Sequence, residues 1–338
     1  MSDNVSEVRI PLIPEAWYYV CGSHELKRGA TKPKGFNVAN KEFIAYRSTT
    51  GEPIVLSGRC CHFGSSLAAG KIIDDCVACA FHGWRFGSDG ACRFIPAGDP
   101  IPSWGRQRKY PVQERYGQVF FYFGENPRFD LPSFEDVDDN ELIGCAPNFF
   151  HLKVPWYLIS ANGFDMQHFN SGHERQPVAP PQMETVGDAG IRIEIQLQNV
   201  GTSLLDRVAA LLAGTRINLS IFTIGGNSLA VTSSLKRTKT YGFVNLIPVS
   251  ERECFMVNVV MVRRKRGFLH RLFLNRVNAL LRREFIRRFL ACEIPQLNGT
   301  EVVLAHCQPS DRELKYFLEW LTRLHGTTAC RTTGQDVS

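Results

Sequence analysis

Between Trp17 and about Gly124 the chain alternates short apolar runs with turn residues. Phe43-Ile44-Ala45-Tyr46 and Pro53-Ile54-Val55-Leu56 flank Thr49-Thr50-Gly51-Glu52, a pattern that predicts a hairpin. Val119-Phe120-Phe121-Tyr122-Phe123 reads as a later strand ending at Gly124, whereas residues 1–12 look like a loose arm. Asn126-Pro127 and Leu131-Pro132-Ser133 open an acidic stretch carrying Glu135, Asp136, Asp138, Asp139 and Glu141, where a domain boundary is expected. Beyond it, the apolar run Phe149 to Ile159 leads into a helical segment containing His168. Alternation in Ile191-Arg192-Ile193-Glu194-Ile195 and in Phe255-Met256-Val257-Asn258-Val259-Val260 predicts a second antiparallel sheet. Leu269, Leu272, Phe273, Val277, Leu280, Leu281, Phe285 and Phe289 recur at helical spacing, and Leu304 to Leu324 repeats that spacing. The expected class is α+β, with an antiparallel β domain over 13–128 and a second domain, a sheet flanked by helices, over 129–325.

A length of 338 residues suffices for two such cores, and 44% hydrophobic with 21% charged residues is ordinary for a globular protein. The start, Met1-Ser2-Asp3-Asn4, lacks the basic and apolar regions of a signal peptide, and no apolar run is long enough to span a bilayer. Leu204 to Leu212, for example, is interrupted by Asp206 and Arg207. The expected location is the cytoplasm, where the eleven scattered cysteines would stay reduced. The net charge of +6 is uneven: residues 263–290 hold ten Lys or Arg against one acid, leaving about −3 elsewhere. That segment reads as a helix with a basic face. Three roles are open to it: docking an acidic ferredoxin, lying on an anionic membrane, or a solvated face behind a packed apolar side. The last is favoured. No nucleic-acid partner is expected.

The chemistry concentrates in Cys60-Cys61-His62 and Cys79-Ala80-Phe81-His82, separated by sixteen residues. Each stretch offers one thiolate and one imidazole. A zinc finger usually draws its Cys pair from one element and its His pair from another, although a mixed Cys2His2 zinc site on a β-ribbon remains the alternative. Alternating ligands suit a Rieske [2Fe–2S] centre, in which one iron takes two sulfurs and the other two nitrogens. Gly64, Gly70, Gly83, Gly87 and Gly90 follow the two stretches, where glycine permits tight turns and close backbone approach to sulfide. Cys79-Ala80-Phe81-His82-Gly83-Trp84-Arg85-Phe86 with Gly90-Ala91-Cys92 resembles the Rieske signature of aromatic-ring-hydroxylating oxygenases.

A second constellation lies in Asn162-Gly163-Phe164-Asp165-Met166-Gln167-His168-Phe169-Asn170-Ser171-Gly172-His173. One helix would stack Asn162, Asp165 and His168 on a single face. His173, about 140° further round, joins them only if the helix bends or ends near Ser171-Gly172. His-x4-His alone is a weak signal. Following the first motif by about eighty residues, the whole pattern resembles the mononuclear iron motif of the same oxygenase family. Two His need one carboxylate to complete a facial triad with open positions for oxygen.

The resemblance spans roughly residues 13–325 and implies that the carboxylate comes from a distant downstream helix. Glu293 is the chosen residue and Glu301 the alternative. It further implies that Asp165 is no ligand but bridges a cluster His of one subunit to His168 of its neighbour in a homotrimer, with Asn162 a weaker supporting residue. The implied cofactors are the [2Fe–2S] cluster and a mononuclear Fe(II), with O2 as co-substrate. Electrons would come ultimately from NAD(P)H through a separate reductase or ferredoxin, since no Gly-x-Gly-x-x-Gly follows a predicted strand. The tail, with Asp311 and Phe317-Leu318-Glu319-Trp320, resembles the single-component branch that includes steroid hydroxylases and O-demethylases. The expected substrate is therefore a small, apolar, ring-containing molecule, and monooxygenation is favoured over dihydroxylation. A Rieske electron carrier without oxygenase activity is the rival reading. Phe149, Phe150, Trp156, Tyr157, Leu158, Phe164, Phe169 and Phe222 are the candidate pocket walls. The family usually has Pro and Arg around the first His, where this chain has Cys61 and Phe63, and Pro where it has Ala80.

Overall fold

The computed structural model describes residues 10–171, 175–200, 214–236, 238–268 and 273–326. The chain divides into two compact units, Glu15–Arg128 and the remainder from Phe129, which also takes in the residues up to Pro14.

In the first unit, β1 (Trp17–Gly22), β2 (Lys34–Val38), β3 (Lys41–Arg47) and β4 (Pro53–Ser57) precede two short hairpins. These are built from β5 (Lys71–Ile73), β6 (Cys76–Ala78), β7 (Arg85–Phe86) and β8 (Cys92–Phe94), which form their own four-stranded antiparallel sheet. β9 (Lys109–Tyr110) closes a second sheet in the order β2-β3-β4-β9, and β10 (Val112–Arg115) and β11 (Gln118–Tyr122) pair with β1 in a third. The expected hairpin is present: Phe43 pairs with Ser57 and Arg47 with Pro53 across a turn in which Gly51 has φ +97°. Ile44, Leu56, Leu67, Val77 and Phe86 pack with Trp84, Cys60 and Cys79 in one buried cluster. The apolar core thus lies directly beneath the two Cys-His loops.

The second unit begins with β12 (Leu142–Gly144) and β13 (Asn148–Leu152), followed by α1 (Trp156–Asn162) and α2 (Met166–Ser171). Next come β14 (Arg175–Pro177), β15 (Gln182–Val186), β16 (Gly190–Asn199), β17 (Arg216–Ile224), β18 (Ser228–Leu235), β19 (Thr238–Ser250) and β20 (Glu253–Arg263). They form one nine-stranded antiparallel sheet, with the path β12-β20-β19-β18-β17-β16-β14. β16 shows why: Ile191, Ile193, Ile195 and Leu197 are buried while Glu194 and Gln196 are exposed, the period of two that a one-sided sheet requires. Two helices complete the unit, α3 (Asn275–Leu297) and α4 (Arg312–Gly326).

Two helical expectations are corrected. The helix through 162–168 is two helices, because Gly163, Phe164 and Asp165 leave the helical path and Asp165 restarts it. Asp165 Oδ1 accepts the backbone N–H groups of Gln167 at 3.0 Å and His168 at 3.1 Å, as an N-cap does. The basic helix is also displaced. β20 runs to Arg263 and α3 spans 275–297, while Leu269 and Leu272 lie outside the described residues.

α3 is also anchored differently from a helix with one wet face. Arg282 donates to the carbonyl of Lys239 in β19 at 3.1 Å and Arg283 to that of Ala146, between β12 and β13, at 2.7 Å, so two of its cations tie it to the sheet and its connections. Phe273, Val277, Leu280 and Leu281, expected to pack inward, are exposed instead.

Phe164, between the first two helices, stacks on Phe317 of α4 with ring centroids 4.2 Å apart and planes 15° from parallel, both rings fully buried. Phe317→Ala removes this support and is expected to destabilise the protein by about 3–5 kcal/mol. A denaturant midpoint unchanged by the substitution would disprove that role.

Candidate metal centres and cavity

The two Cys-His loops have the same backbone plan. Cys60 N–H donates to Ser65 O at 2.9 Å and Gly64 N–H to Cys60 O at 2.8 Å. Cys79 N–H donates to Trp84 O at 2.9 Å and Gly83 N–H to Cys79 O at 3.0 Å. In each loop the glycine four residues after the Cys has a left-handed φ, +71° at Gly64 and +70° at Gly83, which glycine adopts without strain. Equal loops deliver equal donors. The buried Cys60 and Cys79 thiols are within hydrogen-bonding reach of each other, and the Nδ1 atoms of His62 and His82 face each other at 3.1 Å.

Ring stacking limits how the imidazoles can turn. His62 lies between Phe63, 3.9 Å away, and Trp84, 4.6 Å away, while His82 stacks on Phe81 at 3.9 Å. The neighbouring Cys61 forms a hydrogen bond with Cys60 that lowers its thiol to about 7 and, together with burial, raises that of Cys60. Among the described residues no three His, Cys, Asp or Glu side chains converge on one point. A [2Fe–2S] cluster needs only a sulfur pair on one iron and a nitrogen pair on the other, which is the arrangement here.

In the second unit, α2 presents His168 and α3 presents Glu293. Their Nε2 and Oε2 atoms are 4.0 Å apart, with side chains only 13% and 10% exposed. That gap exceeds a hydrogen bond and is within what one shared ion spans at about 2.1 Å per ligand. Both residues, with Asn162, line a cavity of about 300 Å³ between the sheet and α3. The N-cap on Asp165 sets the direction of α2 and hence of His168. At the other end of the pair, Asn298 Oδ1 accepts Lys153 N–H at 2.8 Å, which holds the end of α3 near Glu293. Glu301 is elsewhere, exposed and ion-paired with Arg252 at 2.7 Å. His173 lies outside the described residues.

The cavity wall is mainly aliphatic, with Leu152, Ile159, Leu219, Ile221, Val231, Val244 and Met256 from the first helix and the strands, and Phe285, Ile286 and Phe289 from α3. Of the aromatic walls expected from sequence, only Phe169 lines it. Phe149 is exposed; Phe150, Trp156 and Phe164 fill the core; Phe222 packs under the Arg192 guanidinium at 5.0 Å. Sequence reasoning missed Arg175 and Asn199, hydrogen-bonded to each other at the cavity edge; their separation in sequence gave no local signal.

The Rieske [2Fe-2S] domain family matches residues 16–105. Aminopyrrolnitrin oxygenase PrnD of Pseudomonas fluorescens is 33% identical over 174 residues, covering 47% of this chain and 45% of that protein. Cholesterol 7-desaturase nvd 1 of Ciona intestinalis is 27% identical over 179 residues, covering 52% and 38%. The fold of dicamba monooxygenase bound to dicamba superposes with a TM-score of 0.66 at 19% identity, covering 96% of this chain and all of that one. Residues 16–105 thus belong to the Rieske [2Fe-2S] domain family, and the chain as a whole has the fold of dicamba monooxygenase. The chain spans less than half the length of these two curated relatives. The matched domain family is defined by a Rieske [2Fe-2S] cluster, and the paired Cys and His donors are compatible with it.

Asp165 offers a test that separates its two roles. Asp165→Ala should lose about 1 kcal/mol of stability with the cap, whereas Asp165→Asn, an equally good cap, should keep it. Equal denaturation midpoints for the two variants would exclude the capping role.

Proposed function

We propose that the chain is a terminal oxygenase that hydroxylates or demethylates a small, apolar, ring-containing molecule, adding one oxygen atom per turnover. The observation that carries this reading is the cavity itself. It is about 300 Å³, largely aliphatic, and has an imidazole and a carboxylate 4.0 Å apart in its wall. An electron carrier needs no such cavity. The relatives support the ring preference, because their names refer to cholesterol, aminopyrrolnitrin and dicamba.

In this reading Cys60 and Cys79 hold one iron of the cluster and His62 and His82 the other. His168, Glu293 and His173 hold the mononuclear iron. When bound, these groups supply O2 activation and the electrons for it. The protein's own contributions follow from the geometry. The buried sulfur pair and the more exposed imidazole pair leave the histidine edge as the side for electron exchange. The aliphatic strand residues bind the substrate's apolar body and exclude water, which strengthens polar interactions inside the cavity. Asn162, beside His168 and Glu293, is placed to hydrogen-bond a polar atom there. Electrons come from a separate reductase or ferredoxin, drawing ultimately on NAD(P)H. The homotrimer and the bridging role of Asp165 rest on the family resemblance. Cytoplasmic placement rests on the sequence expectation alone.

Electron paramagnetic resonance on anaerobic, dithionite-reduced protein, with and without nitric oxide, tests the assignment. Expected are a Rieske signal, an iron–nitrosyl signal and about three irons per chain. His168→Ala and Glu293→Ala should each abolish the nitrosyl signal and turnover while sparing the Rieske signal, and Glu301→Ala should spare both. A Rieske signal with no nitrosyl species after added Fe(II) would favour the carrier. Zinc in place of iron would reject the cluster.

A further inference from the structure

α3 has two apolar faces. Phe285, Ile286 and Phe289 line the cavity, while Val277, Leu280 and Leu281, with Phe273 just before the helix, are exposed. On a 3.6-residue repeat Val277, Leu280 and Leu281 fall within one arc of about 100°, roughly opposite Glu293. They are wet: Leu281 is 68% exposed and Leu280 53%. Phe268, just before the helix, is 79% exposed. So large an apolar surface marks an interaction site.

The charge beside this stripe is one-sided. Arg264, Lys265, Arg266 and Arg276 are all exposed, and among the described residues none of the four forms an ion pair. Their position is enforced. Asn275, buried at the start of α3, donates to Lys265 O at 3.0 Å and accepts Lys265 N–H at 3.1 Å, and Arg264 N–H donates to Glu141 O at 2.7 Å. The basic stretch is thereby held next to the apolar stripe. These cations do not stabilise the helix, because its N-terminus already carries the positive end of the dipole. Further along the same face, Glu284 is taken up by Arg287 and Arg288 at 2.7 and 2.8 Å.

The geometry points to this face as a docking surface for an anionic lipid bilayer, with the five apolar side chains entering the acyl boundary and the four cations meeting headgroup phosphates. Protruding Phe and Leu flanked by Arg and Lys match an interfacial amphipathic helix. A transient ferredoxin contact is small and polar and has no use for such side chains. No helix among the described residues is long and apolar enough to cross a membrane, so the contact is peripheral. Given the oxygenase reading above, a lipophilic substrate dissolved in that bilayer would lie just across α3 from the cavity. The docking itself does not depend on that reading.

The test is co-sedimentation of the iron-loaded full chain with phosphatidylcholine vesicles, with or without phosphatidylserine. Binding should be at least about tenfold stronger to the phosphatidylserine vesicles and should weaken as salt rises. Arg266→Gln and Arg276→Gln should each weaken it about fivefold, and Leu280→Asp with Leu281→Asp should abolish it. The Rieske absorbance spectrum checks that each variant is folded. Wild-type protein left in the supernatant, or variants that pellet equally well, would overturn the proposal. So would a change of molecular mass in the leucine variant, which would assign the stripe to a contact between copies. Slower reduction by the electron donor with vesicle binding unchanged would assign it to that donor and overturn it equally.

Discussion

A carboxylate nine-tenths buried against an aliphatic cavity is the constraint around which the second unit is arranged. Glu293 cannot stand there without compensating charge, because a carboxylate taken out of water costs several kcal/mol. The fold meets this cost by bringing it opposite His168 and by fixing both supports. The Asn275 and Asn298 contacts hold the two ends of α3, and Arg282 and Arg283 hold its middle to the carbonyls of Lys239 in β19 and Ala146 in the β12–β13 connection. On the other side, the Phe164–Phe317 stack secures the break between α1 and α2, from which the Asp165 cap sets the helix that carries His168. The pair's geometry thus comes from elements far apart in sequence.

The first unit meets a different constraint with repetition. A cluster ligated in like pairs needs two loops that present equivalent atoms. The chain provides them by repeating a Cys with a glycine four positions later and the same two backbone hydrogen bonds. Burial separates the pairs: the sulfurs sit on the core built from Val77, Phe86 and Trp84, and the imidazoles face outward between aromatic rings. Cys61 and Phe63 shape this rim by touching the donors beside them, Cys61 through a hydrogen bond to Cys60. Phe63 stacks on His62, setting an apolar ring against the imidazole.

What could be read from sequence was what is local. The Cys-His loops, the 43–56 hairpin and the period-two strands are encoded within a few residues, and the structure bears out the class and those elements. The family resemblance pointed to Glu293 over Glu301, and the structure puts Glu293 beside His168, although His173 lies outside the described residues. The break at 163–165 was missed because three-residue spacing fits a continuous helix as well as it fits an Asp that ends one turn and caps the next. The cavity wall was misread because bulky aromatics draw attention, whereas the wall comes from aliphatic residues on strands distant in sequence. Tertiary pairing, not composition, selects them.

The error on α3 has a more general cause. Apolar residues at helical spacing were assigned to one packed side, and the basic residues to the opposite, wet one. Placed on the helix, the apolar residues divide: the later ones, Phe285, Ile286 and Phe289, turn to the cavity, and the earlier ones turn to solvent. The cations divide as well, since Arg282 and Arg283 reach the carbonyls of Lys239 and Ala146 while Arg276 and Arg288 face outward. Helical periodicity identifies a helix but cannot distinguish one broad apolar face from two partial ones offset along its axis. That distinction decides function here. A helix with one apolar face needs only its own core, whereas a helix with two must be covered on both, and the fold covers only the inner one. The outer stripe is retained at the expense of exposed apolar surface, beside cations that oppose the helix dipole, so neither feature is explained by the stability of α3 itself. Both are explained by a partner that is apolar within and anionic at its surface.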